Sequence, residues 1–80
     1  MAEHELKVWP GFFEDIFYRR KMFEVRKNDR NFAVGDTLIL RQFDPDRQEY
    51  TGAFCMRSVT YVLPGGQFGI EPDYVVMSLF

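Results

Sequence analysis

The sequence has too few cysteine and histidine residues for a metal site or a disulfide, because its 80 residues contain one of each, Cys55 and His4. Protein zinc sites need several such ligands, so no metal is expected. A single thiol also excludes an intrachain disulfide, whereas small secreted domains usually depend on several, which favours a cytoplasmic location. Cys55 lies between two large apolar residues and is predicted to be a buried apolar side chain rather than a reactive thiol.

Long apolar runs, a signal peptide and cofactor motifs are also missing. No stretch approaches the roughly 18 apolar residues of a membrane span, and the first residues lack the basic and apolar segments of a signal peptide. The glycines form no phosphate-binding motif, and neither Ser58 nor Ser78 has the context of a nucleophile elbow. We therefore expect no membrane partner and no cofactor.

The chain does contain enough apolar material for one small core. Of its residues, 46% are hydrophobic and 18% are aromatic, with nine Phe among them. A chain of this length buries only about 60% of the surface that its unfolded form exposes, so the core has to be dense in large side chains. Residues 1–80 are therefore predicted to form a single domain.

Positive charge is concentrated in one segment. Six cations and two acids lie between residues 19 and 30, although the whole chain has a net charge of −2. A basic segment on an otherwise acidic body is typical of a localised anion site rather than of a general nucleic-acid coat. The alternative is a solvated helix end followed by a polar loop.

Hydrophobic periodicity predicts the element order β-α-β-β-β-β. Residues 4–9 and 22–26 alternate as strands around a helix that begins at Pro10, with acids near its start and the cations of residues 19–21 at its end. Residues 37–43, 53–63 and 74–80 are predicted as further strands, and the long 53–63 strand has room for a bulge. Core positions of the helix and the 27–35 loop are expected to be Phe13, Ile16, Phe17, Phe32 and Val34. The pattern indicates an α+β fold, a small, mixed, partly open five-stranded β-barrel capped by one helix.

Three stretches form a recognisable pattern: His4–Pro10, Lys21–Arg30 and Phe32–Asp36. Lys21 stands at the helix-to-strand junction, an apolar-Glu-apolar-Arg strand follows, and an apolar-Val-Gly-Asp turn comes next. This pattern, with a Tyr-Val-Val strand at residues 74–76, resembles the ASCH domains of the PUA-like superfamily. Within them it is most similar to a short single-domain bacterial and phage group of unknown function.

The resemblance implies a pseudo-barrel with a cleft beside the first helix, in a fold that related domains use to hold RNA. Some small bacterial ASCH proteins are amidohydrolases that remove the acyl group from acetylated cytidine nucleosides. In those enzymes the motif Lys is followed three positions later by a nucleophilic Thr. Lys21 is present here, but the matching position is Glu24, and a carboxylate cannot replace a hydroxyl nucleophile without a change of chemistry.

Lys21, Glu24 and Arg26 are the main candidate site residues. Residues two apart on a strand share a face about 6.5 Å apart, so Glu24 and Arg26 can pair or can both address one ligand beside Lys21. In a binding site, the two cations would hold phosphate or a base edge, while Glu24 accepts a hydrogen bond from an amino group on a base or orients the cations. In a hydrolytic site, Glu24 would be the general base for water. The remaining alternative is an ordinary surface ion pair.

Further candidates surround this cluster. Asn28 and Arg30 are predicted to contact a nucleic acid together with Lys7, and Trp9 is expected to stack on a base at the mouth of the cleft. Weaker stacking candidates are Tyr61 and Tyr74, and Arg19, Arg20 and Lys27 are expected to steer anions. His4 shares the inward parity of Leu6 and is predicted to be a hydrogen-bonding partner at the barrel rim.

Three functions remain open from the sequence. The first is an RNA-binding or nucleotide-binding module, and the second is an amidohydrolase that acts on modified nucleosides. The third is a phage or mobile-element accessory that contacts a protein through an exposed edge strand such as 75–80. A homodimer that buries Leu79 and Phe80 is a further possibility for that C-terminal strand.

Overall fold

The computed structural model describes residues 1–80 as five strands and one helix. The elements in chain order are β1 (Glu3–Val8), α1 (Pro10–Phe17), β2 (Phe23–Lys27), β3 (Thr37–Asp44), β4 (Glu49–Pro64) and β5 (Tyr74–Leu79). This order confirms the predicted β-α-β-β-β-β arrangement and the α+β class.

The strands form one mixed sheet in the order β1-β3-β4-β5-β2. β1 runs parallel to β3, and the other neighbouring pairs are antiparallel. β1 and β2 are therefore the two ends of the sheet, and no backbone ladder joins them. The sheet is not closed, and a gap remains between these two strands.

One face of the sheet and the helix enclose a single core. Strand alternation places Leu6, Leu38, Leu40, Val59 and Met77 in it, all at most 3% exposed. The predicted burial of Phe13, Ile16, Phe32 and Cys55 is confirmed. The predicted burial of Phe17 and Val34 is wrong, because they are 50% and 60% exposed. Phe17 instead packs at the surface against Tyr18, with ring centroids 5.2 Å apart.

The helix is shorter than predicted because a tight turn ends it at Phe17. Arg19 adopts a left-handed conformation with φ of 63°, and the turn is closed by hydrogen bonds from Arg20 N to Asp15 O and from Arg19 N to Ile16 O. These two bonds are the Schellman pattern of a helix C-terminus. The predicted match to the helix dipole is therefore wrong, since neither the first turn contains an acid nor the last turn a base.

Asp36 joins the start of β1 to the start of β3. Its carboxylate accepts hydrogen bonds from the amides of Ala2 and Ala33, each 3.0 Å long, and lies 2.9 Å from Nε2 of His4. The hydrogen bond from Ala2, followed by the one with His4, lowers the pKa of Asp36 from 3.8 to about 2. The prediction that His4 is a hydrogen-bonding partner is confirmed, and Asp36 is assigned a structural role.

β5 lies inside the sheet and is not an edge strand. It is hydrogen-bonded to β4 on one side and to β2 on the other. Leu79 is already 5% exposed within the single chain, whereas Phe80 is 75% exposed. The predicted edge-strand contact through residues 75–80 is therefore wrong. A homodimer is not needed to bury Leu79, and a dimer that covers Phe80 stays a prediction. β4 carries the expected irregularity, a register shift between Val59 and Tyr61.

The one helix has eight residues, too few to cross a membrane.

Candidate functional site

The gap between β1 and β2 forms a cleft of about 580 Å³, which we call the seam cleft. The end of β1, the helix, the helix-to-β2 junction, β2 and the start of β5 contribute its walls. The lining residues are Lys7, Val8, Trp9, Phe12, Lys21, Glu24, Val25, Arg26, Lys27 and Tyr74. The cleft thus contains five of the seven predicted site residues.

Glu24 lies at the centre of the seam cleft and forms ion pairs with two cations. Its side chain is 5% exposed, with Oε1 2.8 Å from Lys21 Nζ and Oε2 2.7 Å from Arg26 Nε. Both carboxylate oxygens therefore accept charge-assisted hydrogen bonds, which are stronger than neutral ones. The alternative of an ordinary surface ion pair is wrong, because the acid is buried and fixes two cations at once.

The local sequence explains how these three side chains meet. The Schellman turn after the helix directs the chain into β2 and places Lys21 two positions before the strand, where its amide donates to Asp15 O. Strand alternation then gives Glu24 and Arg26 the more buried positions of β2, while Phe23 and Val25 are 45% and 49% exposed. The ammonium of Lys21 also donates to Phe23 O at 2.9 Å, so the backbone as well as the carboxylate fixes it.

Arginine side chains bridge the gap that backbone pairing leaves open. Arg26 Nη2 donates to the carbonyl of Lys7 at 2.8 Å, and Arg30 Nη1 donates to the carbonyl of Glu5. These carbonyls belong to β1 and are satisfied by side chains rather than by a neighbouring strand. Arg26 therefore connects Glu24 on β2 to the backbone of β1, which fixes its guanidinium across the cleft.

The cleft is positively charged although the whole chain is negative. Four cations line it against one carboxylate, giving a local formal charge of +3. Lys27 is available to a ligand, because its side chain is 62% exposed and makes only a 3.8 Å contact to Asp73. Arg26 retains N–H groups beyond those used by Glu24 and Lys7. The cleft can therefore offer several donors to an anion.

Two aromatic side chains predicted from the sequence lie in the same cleft. Trp9 is 46% exposed and stacks one side of its indole on Phe43, with centroids 5.7 Å apart and planes inclined by 28°. The ammonium of Lys7 lies 4.0 Å from the centroid of the same Phe43 ring. Phe43 thus packs against one side of the Trp9 ring, and Trp9 still exposes ring surface. Tyr74 lies on the opposite wall of the cleft. Tyr61 is exposed but lies outside the cleft.

Other predicted contact residues do not reach the cleft. Asn28 accepts a hydrogen bond from Phe32 N at 2.9 Å and orders the following loop. Arg30 donates to the backbone of β1. Arg20 pairs with Asp15 at 3.0 Å, and Arg19 faces Phe80. Of the cations expected to steer anions, Lys27 alone lines the cleft.

Phe12, Val8 and Val25 line the cleft but were not identified from the sequence. The sequence does give an indication for Phe12, because it lies beside the predicted apolar face of the helix. A large apolar residue outside that face is either exposed or lines a cavity. It is 55% exposed, with the Lys21 ammonium 5.7 Å from its ring centroid. Val8 and Val25 left no such signal, since any strand alternates in this way.

No three His, Cys, Asp or Glu side chains lie together in a group that could hold a metal ion. The buried acids Glu24 and Asp36 are instead satisfied by cations, amides and one imidazole. A metal would have to displace these partners.

Comparison with known proteins places the chain in a family. Residues 3–79 match the family model described as a domain of unknown function, DUF3850. The chain belongs to this family. It is also similar to a protein of Escherichia phage P2, described as an uncharacterized 12.9 kDa protein in the GpA 3′ region, with 42% identity over 40 residues. The aligned part covers 50% of this chain and 37% of the phage protein.

These findings confirm part of the resemblance, namely a family of unknown function with a phage relative. The link to ASCH domains remains a prediction. Neither description states an activity, so the function has to be argued from the geometry of the seam cleft.

Proposed function

We propose that this DUF3850 domain is an RNA-binding module that holds a nucleotide unit of the RNA in the seam cleft. The observation that carries the proposal is the cation pair fixed by buried Glu24 inside a cleft of local charge +3. A protein of net charge −2 gains little from general attraction to RNA, so binding has to come from such a concentrated site. We further propose that the open sheet is the partly open barrel of the ASCH and PUA-like folds.

Cations and exposed rings together suit a nucleotide better than a simple anion. Arg26 and Lys27 can contact phosphate, because guanidinium and ammonium groups are the usual phosphate donors in proteins. Trp9 presents ring surface near these cations, and base-on-aromatic stacking contributes about 1–3 kcal/mol per base in single-stranded complexes. Glu24 mainly orients the cations, since its side chain is 5% exposed and each of its oxygens already accepts a hydrogen bond from one of them.

The single Trp of the chain allows a direct test. Trp9 lines the seam cleft, so its fluorescence reports occupancy without a label. We expect short single-stranded RNA to change this fluorescence, with an affinity that falls between low and physiological salt. A structured hairpin is the second probe, and heparin, a polyanion without bases, controls for general charge.

Two substitutions that each remove one positive charge test where the RNA binds. Lys27→Ala removes an exposed cleft cation whose nearest acid is 3.8 Å away, and we expect it to weaken RNA binding roughly tenfold. Arg19→Gly removes a cation outside the cleft and is expected to leave binding within about twofold, since a remote charge acts only through screened attraction. Equal effects of the two substitutions would contradict binding in the seam cleft.

The amidohydrolase hypothesis is supported by one observation, the contact of Lys21 with Glu24 inside a cleft of about 580 Å³. It is less favoured because the Glu24 side chain is 5% exposed and both of its oxygens already accept hydrogen bonds from cations, which leaves little access for an attacking water. Hydrolysis of an acylated cytidine nucleoside by the wild type, abolished in Glu24→Gln, would select this function. An absence of any response to RNA and nucleoside would favour the protein-contact hypothesis.

A further inference from the structure

A second groove continues from the seam cleft. It has a volume of about 400 Å³ and is lined by Val25, Gly69, Ile70, Glu71 and Tyr74. Val25 and Tyr74 also line the seam cleft, so the two cavities adjoin along these residues. We call this second cavity the Gly69 groove.

The charge of the Gly69 groove is opposite to that of the seam cleft. Its one charged lining residue is Glu71, whose carboxylate forms no ion pair and no hydrogen bond with the protein. An unpaired carboxylate repels phosphate and accepts hydrogen bonds from N–H groups. Three of its five lining residues are hydrophobic, Ile70 and Tyr74 among them. Its chemistry therefore suits a flat, uncharged ring that carries an exocyclic amine.

The loop that forms the groove is rigidly built. Gly65 N donates to Tyr74 O, and Gly66 N donates to Ile70 O, both at 2.8 Å. A side chain at Gly65 would lie 1.8 Å from Glu71 O, so the chain can pass there only as glycine. The same loop carries Phe68 in a left-handed conformation, with φ of 56° and a side chain 83% exposed. The loop thus presents the groove and an open aromatic ring without needing to be ordered by a ligand.

We propose that the Gly69 groove is a second subsite, which takes the base of the nucleotide next to the one whose phosphate lies in the seam cleft. This inference rests on the proposed function and deepens it. The ligand is then a single-stranded segment of at least two nucleotides, and a base with an exocyclic amine is favoured at the second position. A carboxylate accepts from such an amine, as in acidic side-chain contacts with cytosine.

The test compares mononucleotides with oligonucleotides and cytosine with uracil, two bases of the same ring size. Trp9 fluorescence is titrated with CMP, UMP, oligo(C) and oligo(U). Cytosine carries an exocyclic amine where uracil carries a carbonyl, and the ring N–H of uracil lies between two carbonyls that a carboxylate repels. We expect CMP and UMP to bind alike, the oligomers to bind more tightly than either, and oligo(C) to exceed oligo(U) by roughly fivefold or more.

Glu71→Gln is the matched variant, because the amide keeps the shape of the side chain but loses the charge and part of the acceptor capacity. We expect it to reduce the preference for oligo(C) over oligo(U) to about twofold or less while affinity for CMP is unchanged. Asp46→Asn removes an exposed carboxylate that lines neither cavity and should leave the preference intact.

The outcomes separate this inference from the proposed function. Equal affinity of mononucleotides and oligomers, or a base preference that survives Glu71→Gln, would overturn the second subsite while leaving RNA binding in the seam cleft. No fluorescence response to any of the four ligands would overturn both. Loss of the base preference in Asp46→Asn as well would show a general charge effect and would also overturn the subsite.

Discussion

Glu24 and Asp36 are the two buried acids of the chain, at 4% exposure each, and their surroundings differ in kind. Glu24 is held by Lys21 and Arg26, two side chains that face a cleft. Asp36 is held by two backbone amides and by His4, which pack inside the fold. Glu24 therefore positions cations that a ligand can reach, whereas Asp36 joins the start of β1 to the start of β3.

The two acids also lie at opposite ends of the parallel pair. Glu3 pairs with Thr37 beside Asp36, and β1 then runs to Lys7 and Val8 in the seam cleft. The end near Asp36 has its backbone groups satisfied by the protein itself. The end near Glu24 leaves a gap that arginine side chains, Arg26 and Arg30, cross. Burial of a carboxylate therefore does not identify a site, and the nature and accessibility of its partners do.

The largest expected effect on stability is that of Asp36→Ala. This substitution leaves the Ala2 and Ala33 amides and the His4 ring without their shared acceptor. We expect the largest fall in melting temperature of all the variants considered, measured by circular dichroism. A fall smaller than that of Glu24→Gln would contradict the structural role given to Asp36.

Glu24→Gln is expected to destabilise the fold by about 1–3 kcal/mol, because two cations lose their buried counter-charge. Chemical denaturation with urea measures this difference. Glu14→Gln serves as the control, since Glu14 is exposed and makes only a 3.7 Å contact to Arg20. A loss no larger than that of the control would show that the cation pair does not depend on Glu24.

A lower pH should weaken the Asp36 contacts that join the start of β1 to the start of β3, over a defined pH interval. The pKa of Asp36 is lowered to about 2 in the folded protein, so its contribution to stability is complete above its ordinary value of 3.8. That contribution is lost as the pH falls through the interval from 3.8 to about 2. We expect the stability difference between wild type and Asp36→Asn to shrink over this interval, measured by urea denaturation at several pH values. A constant difference would exclude this linkage.

The smallest expected effect is that of Arg19→Gly, and it has the opposite sign. Arg19 is left-handed at the turn that ends the helix, a conformation that costs a non-glycine residue about 1 kcal/mol. Glycine should raise the free energy of unfolding by about 0.5–1 kcal/mol without weakening RNA binding. A decrease in stability would mean that the contact of Arg19 with Phe80 outweighs the relief of strain.

Hydrophobic periodicity was enough to predict the helix and the strands, and to predict which residues share one face of β2. It correctly predicted that Glu24 and Arg26 share a face with Lys21 nearby, because both contacts are local in the chain. It could not predict that this face is buried, since an acid and a base on alternate positions normally indicate solvent. The burial arises from the distant β1, whose Lys7 carbonyl accepts from Arg26 across 19 positions of sequence.

Strand order was the main feature that the sequence could not provide. Residues 75–80 are predicted as an exposed edge strand, but β2 pairs with this segment and is the edge itself. The helix end was misplaced because Arg19 takes a position where glycine is usual. Both errors come from choices that depend on tertiary contacts or on strained backbone.

The most direct measurement is the RNA affinity of Glu24→Gln, followed by Trp9 fluorescence at low salt with the fold verified by circular dichroism. We expect weaker binding, by roughly fivefold or more, because Lys21 and Arg26 lose the carboxylate that fixes them. If net charge alone governed binding, removal of this acid would strengthen it. Tighter binding by a folded Glu24→Gln protein would contradict the claim that Glu24 organises the site.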